Sequence, residues 1–425
     1  MRKLTTQAGG VSLGRGLAAL ASLATAMVLS RILSENDYGT YRQVWLIFFT
    51  LAPILELGIP PSVSFFLPQL PSSKVKSYLI QNSLVLLVSG SFLGLAFLLL
   101  GGPVEQLFKS PDLADLLCVF ALFPALTIPF NMTENTLVAL GRAGTAGMVS
   151  SVAALVQNGV ILGSVLLGGS LSQTFLLLSL WALLRWGIAF TSLLYLSRAL
   201  RITWDWRALR SQVGFALPMG AAAATGLLTR QLDKLIVSSG FSTEQFAVYA
   251  NGSYEIPLIS ILTLSVTAVL VPAIVRAQAQ GDVTEIRRLW HGAARRMAWL
   301  FFPAFSFLFI AAQPLMVFLF SEKYAASAAP FRVFLFLLPL RIAFYGAFLR
   351  ALGKTRPILI TSLGAMVISL VLALVLIRIE PLGFLAPAIA AVIASYWAAW
   401  YSIRVALRTL NWRWREYFPW RALAA

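Results

Sequence analysis

Long runs of apolar residues, separated by short polar or charged stretches, cover almost the whole chain. A helix needs about 20 predominantly apolar residues to cross the hydrocarbon core of a bilayer. We find twelve runs of at least this length and predict a membrane-spanning helix in each. They cover residues 10–33, 39–67, 78–100, 113–139, 145–167, 172–197, 212–238, 245–275, 292–319, 328–351, 357–378 and 383–407.

Composition agrees with this pattern. Hydrophobic residues make up 59% of the chain and charged residues 12%, whereas soluble domains carry about 25% charged residues. The first run follows Arg2 and Lys3 and contains Ala24-Thr25-Ala26, which resembles a signal-peptide cleavage site. Because the apolar stretch continues to Leu33 and eleven further spans follow, we interpret it as a retained helix.

The net charge of +17 raises the question of nucleic-acid binding. When the spans are threaded through a membrane, most of the 33 Lys and Arg fall on the side that holds both termini. The positive-inside rule therefore predicts cytoplasmic termini, and the basic residues reflect topology and lipid contact rather than nucleic-acid recognition. The single cysteine, Cys118, excludes an internal disulfide, and the single histidine, His291, excludes a histidine-based metal or catalytic cluster. We predict no cofactor and no metal site.

Three pairs of short sequences recur at a nearly constant spacing. They are SENDYGTY (34–41) with STEQFAVY (242–249), LVALGR (137–142) with LRALGK (349–354), and TWDWR (203–207) with NWRWR (411–415). Their order matches the order of the spans, which indicates a duplication. Each pair also suits a structural role: Ser34 and Ser242 as helix N-caps, Gly141 and Gly353 in the left-handed position after a helix, and the Trp-x-Trp-Arg motifs at the membrane interface.

The duplication predicts an all-α integral membrane fold. Its twelve transmembrane helices form two six-helix lobes related by a pseudo-two-fold axis along the membrane normal, since six is an even number of crossings. We place the lobes at residues 1–210 and 211–425, the second with a cytoplasmic interfacial tail. Two such lobes around a cleft favour a transporter.

Ionisable residues within a span cost about 2.5–3.5 kcal/mol each and therefore indicate either a transport pathway or a paired structural contact. Seven of them form our candidate site. Arg185, Arg230, Lys234 and Arg341 are the substrate-binding candidates, and Glu56, Asp233 and Glu255 are the ion-coupling candidates.

Position within the spans distinguishes these candidates. Arg185, Glu255 and Arg341 lie nearest the predicted midplane, and neither arginine has an acidic neighbour at helical spacing, which favours a cavity role. Within residues 229–234, Asp233 follows Arg230 by three residues, so that an internal ion pair and a ligand-facing cluster both remain open. We hypothesise that H⁺ or Na⁺ binding at the acids is coupled to capture of an anionic headgroup by the arginines.

The chain resembles Wzx-type lipid-linked oligosaccharide flippases of the multidrug/oligosaccharidyl-lipid/polysaccharide (MOP) exporter superfamily. The resemblance lies in LSRILSENDYGTY (29–41), DKLIVSSGFSTEQFAVYA (233–250) and LFSEKYAAS (319–327). It implies a carrier in the bacterial cytoplasmic membrane that moves an undecaprenyl-pyrophosphate-linked glycan, such as an O-antigen unit, to the outer leaflet. Membrane lipids and a polysaccharide polymerase and export machinery would be its partners.

Other functions remain open at this point. A multidrug or small-molecule cation antiporter of the same superfamily would have a cavity dominated by acidic and aromatic residues. A scaffold that recruits glycan enzymes would use the basic cytoplasmic loops. The loop LPQLPSSKVKSYL (67–79) lacks the Gly-x-x-x-Asp-Arg/Lys pattern of major-facilitator sugar porters, and the short outer loops leave no room for the catalytic domain of a membrane polymerase. We predict that the protein is not an enzyme.

Overall fold

Twenty α-helices account for most of the described residues. The computed structural model describes residues 2–195, 203–380 and 382–419. The helices are α1 (Arg2–Ile32), α2 (Glu35–Leu55), α3 (Ile59–Phe66), α4 (Ser72–Phe108), α5 (Leu113–Phe120), α6 (Leu122–Phe130), α7 (Met132–Ala139), α8 (Ala143–Leu166), α9 (Leu171–Tyr195), α10 (Trp206–Gly240), α11 (Thr243–Gly252), α12 (Pro257–Ala279), α13 (Val283–Ile310), α14 (Ala312–Phe320), α15 (Ala328–Leu335), α16 (Leu338–Ile342), α17 (Tyr345–Ala351), α18 (Thr355–Leu376), α19 (Ala386–Leu410) and α20 (Trp414–Tyr417). Short 3₁₀ helices cover Leu67–Gln69, Glu322–Ser327 and Gly383–Leu385.

The predicted all-α membrane fold is confirmed. In the described part of the chain, ten helices are long and apolar enough to cross a membrane, and the pair Leu113–Phe120 and Leu122–Ala139, bent by 48°, makes an eleventh span. A shorter apolar helix, Gly16–Ile32, occupies the first predicted span. These segments coincide one for one with the twelve predicted runs, so the protein is a multi-pass membrane protein. The last two residues of the predicted sixth span, 196 and 197, lie outside the described residues.

Two compact units divide the chain. Unit 1 comprises Met1–Leu227 with Ser242–Glu244, and unit 2 comprises Leu228–Phe241 with Gln245–Ala425. The predicted lobe boundary at residue 210 stays a prediction, and so does the symmetry. The first part of α10 packs within unit 1, where Gln212 Nε2 donates to Ser62 Oγ at 3.0 Å. A Cβ atom at Gly58, which has a left-handed φ of +69°, would overlap the carbonyl of Ala216.

Unit 1 has an aromatic core. Trp45 of α2 packs against Phe120, Phe123 and Phe175, with ring centroids 5.5 to 6.5 Å apart. Because aromatic side chains bury large apolar areas, this cluster fixes α2, α5, α6 and α9 against one another. A pair of polar side chains also links two helices inside the unit: Thr25 Oγ1 donates to Asn158 Oδ1 at 2.8 Å, which joins α1 to α8.

Unit 2 has its own core at one end. Trp290 of α13 is fully buried and packs against the Phe348 ring at 4.3 Å and, edge to face, against the Tyr417 ring at 5.1 Å. Its indole Nε1 donates to the carbonyl of Tyr417 at 2.8 Å. The short helix α20 is therefore packed against α13 rather than standing free.

The predicted local roles of the repeats are confirmed at Ser34, Gly141 and Gly353, whereas the cap at Ser242 stays a prediction. Ser34 caps α2 by accepting a hydrogen bond from the Asp37 N–H, as predicted. Gly141 and Gly353 have φ angles of +74° and +68°, which confirms the predicted left-handed positions. The residue after each glycine donates its N–H back across the last turn, to Leu137 O at 2.8 Å and to Leu349 O at 3.0 Å. These are the bonds of the Schellman motif that ends many helices.

The third repeat differs between its two copies. Trp204 and Trp206 are exposed, as expected of interface residues. Trp412, which matches Trp204, is only 6% exposed and belongs to the buried core around Trp290. The prediction of an interface position is therefore wrong for Trp412, because the chain turns back after α19 and covers its ring.

Candidate functional site

The second span is broken at an acidic residue. Between the end of α2 at Leu55 and the start of α3 at Ile59, the chain forms a turn in which Leu57 and Gly58 both have positive φ. The turn removes helical hydrogen bonds, and Ser89 Oγ compensates by donating to the Leu55 carbonyl at 2.5 Å. Glu56 lies in this turn. Non-helical backbone at membrane depth is tolerated where protein or a water-filled cavity surrounds it.

The fourth span is broken at the same place in space. Asn131 separates α6 from α7, and its Nδ2 donates to Glu56 Oε1 at 2.7 Å. The carboxylate is half-buried. Within residues 2–195, 203–380 and 382–419, no lysine or arginine forms an ion pair with it. Glu56 is thus held by a neutral amide.

Arg185 of α9 lies inside unit 1 and is only 8% exposed. Its Nη2 donates to Thr127 Oγ1 at 2.6 Å and its Nη1 to Gln157 Oε1 at 3.1 Å. The guanidinium also lies over the rings of Phe130 and Phe123, at 4.9 and 5.4 Å. The buried Nε has no hydrogen-bond partner among the described residues. The positive charge is therefore solvated by neutral groups alone.

Helix α6 brings these two charges into one region. Thr127, the partner of Arg185, and Asn131, the partner of Glu56, are four residues apart, which places them one turn apart on the same side of a helix. The guanidinium and the carboxylate are thus each bonded to a neutral side chain of the same segment and do not form a salt bridge with one another. Neither charge is neutralised by an ion pair within the described residues.

Unit 2 holds the second group of predicted residues in a different manner. Glu255 lies in the interruption between α11 and α12, and its Oε1 accepts from Arg341 Nη2 of α16 at 2.5 Å. Both side chains remain partly accessible, with 35% of Arg341 and 46% of Glu255 exposed. The sequence shows no acidic neighbour of Arg341 at helical spacing, but Arg341 nevertheless has an acidic partner. The partner comes from a distant segment.

A second arginine lies close to this pair. The positive charges of Arg341 and Arg230 both act on the hydroxyl group of Tyr345, which begins α17. Arg230 is exposed, and no carboxylate in the described part of the chain pairs with it. Two guanidinium groups therefore accompany the single carboxylate of Glu255. This cluster, which we call the Arg230–Arg341 cluster, carries an excess positive charge.

Asp233 and Lys234 are placed differently from Arg230. Asp233 is 4% exposed and accepts from the Tyr249 hydroxyl at 2.8 Å, with Lys234 Nζ 4.0 Å from the carboxylate. Asp233 therefore does not pair with Arg230, because the aspartate turns toward the buried tyrosine while the arginine faces outward. The internal contact that the sequence left open forms with Tyr249 and Lys234.

Several polar residues of both groups escaped the sequence prediction. Thr127, Asn131 and Gln157 hydrogen-bond to the predicted charges, and Tyr345 lies within electrostatic range of Arg341 and Arg230, but none of the four carries a charge. A signal was present for two of them, since Thr127 and Asn131 are polar and one helical turn apart within an apolar span. Among the described residues, no three His, Cys, Asp or Glu lie together as metal ligands would.

The sequence profile of the polysaccharide biosynthesis protein family matches residues 28–329. This chain belongs to that family. The match covers all seven predicted site residues except Arg341. A comparison with curated proteins found no match.

Solved structures establish the fold of this family member. An inward closed structure of the lipid II flippase MurJ has a TM-score of 0.77 at 13% identity, covering 97% of this chain and 89% of that one. An inward-facing multidrug resistance MATE transporter of the MOP superfamily has a TM-score of 0.74 at 15% identity, covering 93% and 94%. A MOP superfamily transporter from Pyrococcus furiosus has a TM-score of 0.64 at 15% identity, covering 95% and 94%. The polypeptide thus has the fold of MOP superfamily transporters.

Proposed function

We propose that the protein is an alternating-access flippase for a lipid-linked oligosaccharide. It moves an undecaprenyl-pyrophosphate-linked glycan from the cytoplasmic to the outer leaflet of the bacterial cytoplasmic membrane, for cell-surface polysaccharide biosynthesis. Both termini are cytoplasmic in this proposal, in agreement with the positive-inside rule. The family supplies the biosynthetic context, and the MOP fold supplies the transport context.

The single observation that carries the proposal is the surplus of guanidinium groups among the intramembrane charges. Among the described residues, Arg185 has neutral partners only, and Arg230, whose charge acts with that of Arg341 on Tyr345, forms no ion pair with a carboxylate. A pyrophosphate is too strongly charged to cross hydrocarbon unaided, and arginine binds phosphate oxygens through paired N–H donors. Arg185, Arg230, Lys234 and Arg341 are the residues we assign to the headgroup.

Ion coupling is the second part of the proposal. Glu56 accepts a hydrogen bond from a neutral amide, so that a proton or Na⁺ can neutralise it without breaking an ion pair. Glu255 and Asp233 each already have a partner, a guanidinium and a tyrosine hydroxyl respectively. We therefore rank Glu56 first among the three coupling candidates. A polymerase and export machinery would receive the flipped glycan.

The test is a pair of substitutions in the native host. Arg185→Ala combined with Arg341→Ala should abolish surface polysaccharide while the protein still reaches the membrane, as measured by immunoblotting of membrane fractions. The matched control is Arg295→Ala with Arg296→Ala, which removes the same charge from exposed positions on α13. Normal surface polysaccharide in the Arg185/Arg341 variant would contradict the flippase assignment and favour a scaffold.

A multidrug or small-molecule cation antiporter is the second candidate function. The observation in its favour is Glu56, an intramembrane carboxylate without a basic partner in the described chain. An antiporter would depend on Glu56 and tolerate loss of Arg185. Both functions therefore predict a requirement for Glu56, and they differ in their sensitivity to loss of Arg185.

A further inference from the structure

The chain turns sharply at the end of its last long helix. Residues 404–417, which we call the C-terminal elbow, comprise the last turns of α19, a turn at Asn411–Arg413 and the short helix α20. Asn411 has a left-handed φ of +55°, and the Trp412 N–H donates to the Leu407 carbonyl at 2.9 Å. This bond satisfies one of the carbonyls that the end of α19 would otherwise leave free.

Several contacts with the rest of unit 2 hold the C-terminal elbow in place. The Tyr417 side chain is fully buried, and its hydroxyl donates to the Ala343 carbonyl at 3.2 Å. The His291 ring nitrogen Nε2 lies 2.8 Å from the Glu416 carbonyl. Arg287 forms an ion pair with the Glu416 carboxylate at 2.9 Å and stacks over the Trp412 ring at 5.2 Å. The elbow is therefore a built structure and presents its side chains in fixed positions.

The C-terminal elbow encloses an open pocket of about 460 Å³. Its lining residues are Arg404, Leu407, Arg408, Asn411, Trp412, Arg413 and Trp414. Three guanidinium groups thus surround one pocket, and no carboxylate of the described residues lines it. The nearest acid in sequence, Glu416, is already engaged by the Arg413 N–H and by Arg287.

The two helix-borne arginines are available to a ligand. Arg404 and Arg408 are one turn apart on α19, and both are exposed. Neither forms an ion pair with a carboxylate in residues 203–380 or 382–419. Arg404 instead stacks over the Trp400 ring at 5.2 Å, which orients its guanidinium plane and leaves the N–H groups at its edge free to donate.

We propose that the C-terminal elbow binds the phosphate of an anionic membrane phospholipid. Arginine matches the geometry of phosphate oxygens, and tryptophan prefers the headgroup level of a bilayer. Arg404, Arg408 and Arg413 hold the phosphate, and Trp414, which is exposed, lies among the neighbouring headgroups. The lipid in this site is structural or regulatory and is not the transported glycan. The site rests on the membrane topology proposed above and does not depend on which substrate is transported.

The first-half copy of this motif provides an internal comparison. There, Asp205 stands at the position of Arg413, and its carboxylate accepts from the Ala208 N–H at 3.0 Å at the start of α10. Trp204 and Trp206 pack edge to face, with ring centroids 5.3 Å apart. An acid at this position repels a phosphate. We therefore expect the selective lipid site only at the C-terminal elbow.

The test is native mass spectrometry of the full chain in detergent, titrated with phosphatidylglycerol or with phosphatidylcholine. Wild type should retain phosphatidylglycerol more strongly than phosphatidylcholine. Arg404→Ala with Arg408→Ala should weaken phosphatidylglycerol binding by about twentyfold, since each arginine near an anionic headgroup contributes roughly fivefold. The control is Arg207→Ala with Arg210→Ala, which removes two exposed arginines near the first-half motif and should leave the affinity unchanged.

Two further variants distinguish a loss of lipid binding from a folding defect. Arg404→Lys with Arg408→Lys keeps the charge and should retain most of the binding, whereas Arg413→Asp reproduces the first-half motif and should weaken it. Equal phosphatidylglycerol affinity in wild type, Arg404→Ala/Arg408→Ala and Arg413→Asp would overturn the proposal. Inorganic pyrophosphate is the second arm: if it binds at micromolar concentration and phosphatidylglycerol does not displace it, the site takes a soluble phosphate and the lipid assignment is wrong.

Discussion

The two compact units hold the same kinds of charged residue through different contacts. In unit 1, Arg185 and Glu56 lie in one region but are bonded to neutral side chains, Thr127 with Gln157 for the arginine and Asn131 for the acid. In unit 2, Arg341 and Glu255 form a direct ion pair at 2.5 Å. In unit 1 the arginine and the acid therefore do not pair with each other, whereas in unit 2 the Arg341 guanidinium and the Glu255 carboxylate neutralise each other.

This difference indicates where charge serves function rather than stability. An unpaired arginine within a span costs free energy, and apolar residues of similar volume often replace buried ionic groups without loss of stability. Arg185 satisfies this description, because its guanidinium is buried, only two of its three nitrogens have acceptors among the described residues, and both acceptors are neutral. The Arg341–Glu255 pair, by contrast, is able to contribute to stability and to open when a ligand competes for either partner.

The largest predicted effect separates stability from transport at Arg185. Arg185→Met should leave the thermal midpoint in detergent unchanged or higher, because it removes a buried charge that has no acidic partner. Its transport rate should fall roughly tenfold or more, since hydrogen bonds from a charged donor contribute about 1.5–3 kcal/mol. A midpoint that falls by many degrees in Arg185→Met would show that Arg185 is structural. Arg185→Lys, which keeps the charge, is the second variant for this comparison.

Glu56 provides the corresponding test for the acid of unit 1. In Glu56→Gln, the amide oxygen still accepts from Asn131, so we expect a thermal midpoint close to that of wild type. The transport rate of this variant should no longer depend on an imposed H⁺ or Na⁺ gradient. Asp115→Asn, which changes an acid on α5 outside the candidate site, is the control. An unchanged gradient dependence in Glu56→Gln would remove this residue from the coupling scheme.

The ion pair of unit 2 should give a measurable coupling free energy. Arg341→Gln and Glu255→Gln should each destabilise the protein, and the double variant should recover about 1 kcal/mol, because both side chains are partly exposed and solvent screens them. The same cycle on Arg185 and Glu56 should be additive. Additivity at Arg341 and Glu255 would mean that the two units do not differ in the way described.

The left-handed glycines predict equal effects in both units. Gly141→Ala and Gly353→Ala should each cost about 1 kcal/mol, because an L-residue is strained at positive φ although an added Cβ would meet no described atom within 4 Å. Gly159→Ala, inside α8, is the control and should be neutral or stabilising because alanine favours helix. Clearly unequal costs for Gly141 and Gly353 would argue against a shared role for the repeat.

The smallest predicted effect is a pH dependence at the end of unit 2. The Arg413 N–H and the Arg287 guanidinium hold the pKa of the Glu416 carboxyl below its usual range. Because the folded-state pKa is lowered, this stabilisation is complete above the unfolded pKa of about 4.3 and is lost as the pH falls through the folded value. Glu416→Gln should therefore lower the thermal midpoint slightly at pH 7, and this difference should shrink below pH 4. A difference that persists at the lowest pH would contradict this cause.

The sequence predicts local features well and distant contacts poorly. The spans, the Ser34 cap and the left-handed Gly141 and Gly353 depend on neighbouring residues, and the structure confirms them. The partner of Arg341 lies 86 residues away in the chain, and no periodicity within α16 indicates it. Likewise, helical spacing made Arg230 one possible partner of Asp233, but the aspartate accepts a hydrogen bond from the buried Tyr249 hydroxyl instead.

The sequence pattern also does not predict where the spans break. Prolines occur in many membrane helices, so that Pro53 and Pro129 predict bending but not its site. The structure shows that the second and fourth spans break beside each other, at Glu56 and Asn131. Hydropathy alone does not predict that these two breaks lie side by side, because their proximity depends on how the two spans pack.

The most direct test of the account is translocation by the purified protein in proteoliposomes. The substrate is a polyprenyl-pyrophosphate-linked oligosaccharide, and its appearance on the opposite leaflet is followed by cleavage with a membrane-impermeant glycosidase. We predict that wild type translocates this lipid, that Arg185→Met reconstitutes equally well but does not, and that ethidium is not transported by either. Transport of ethidium by both proteins, with no movement of the lipid-linked glycan in wild type, would contradict the account.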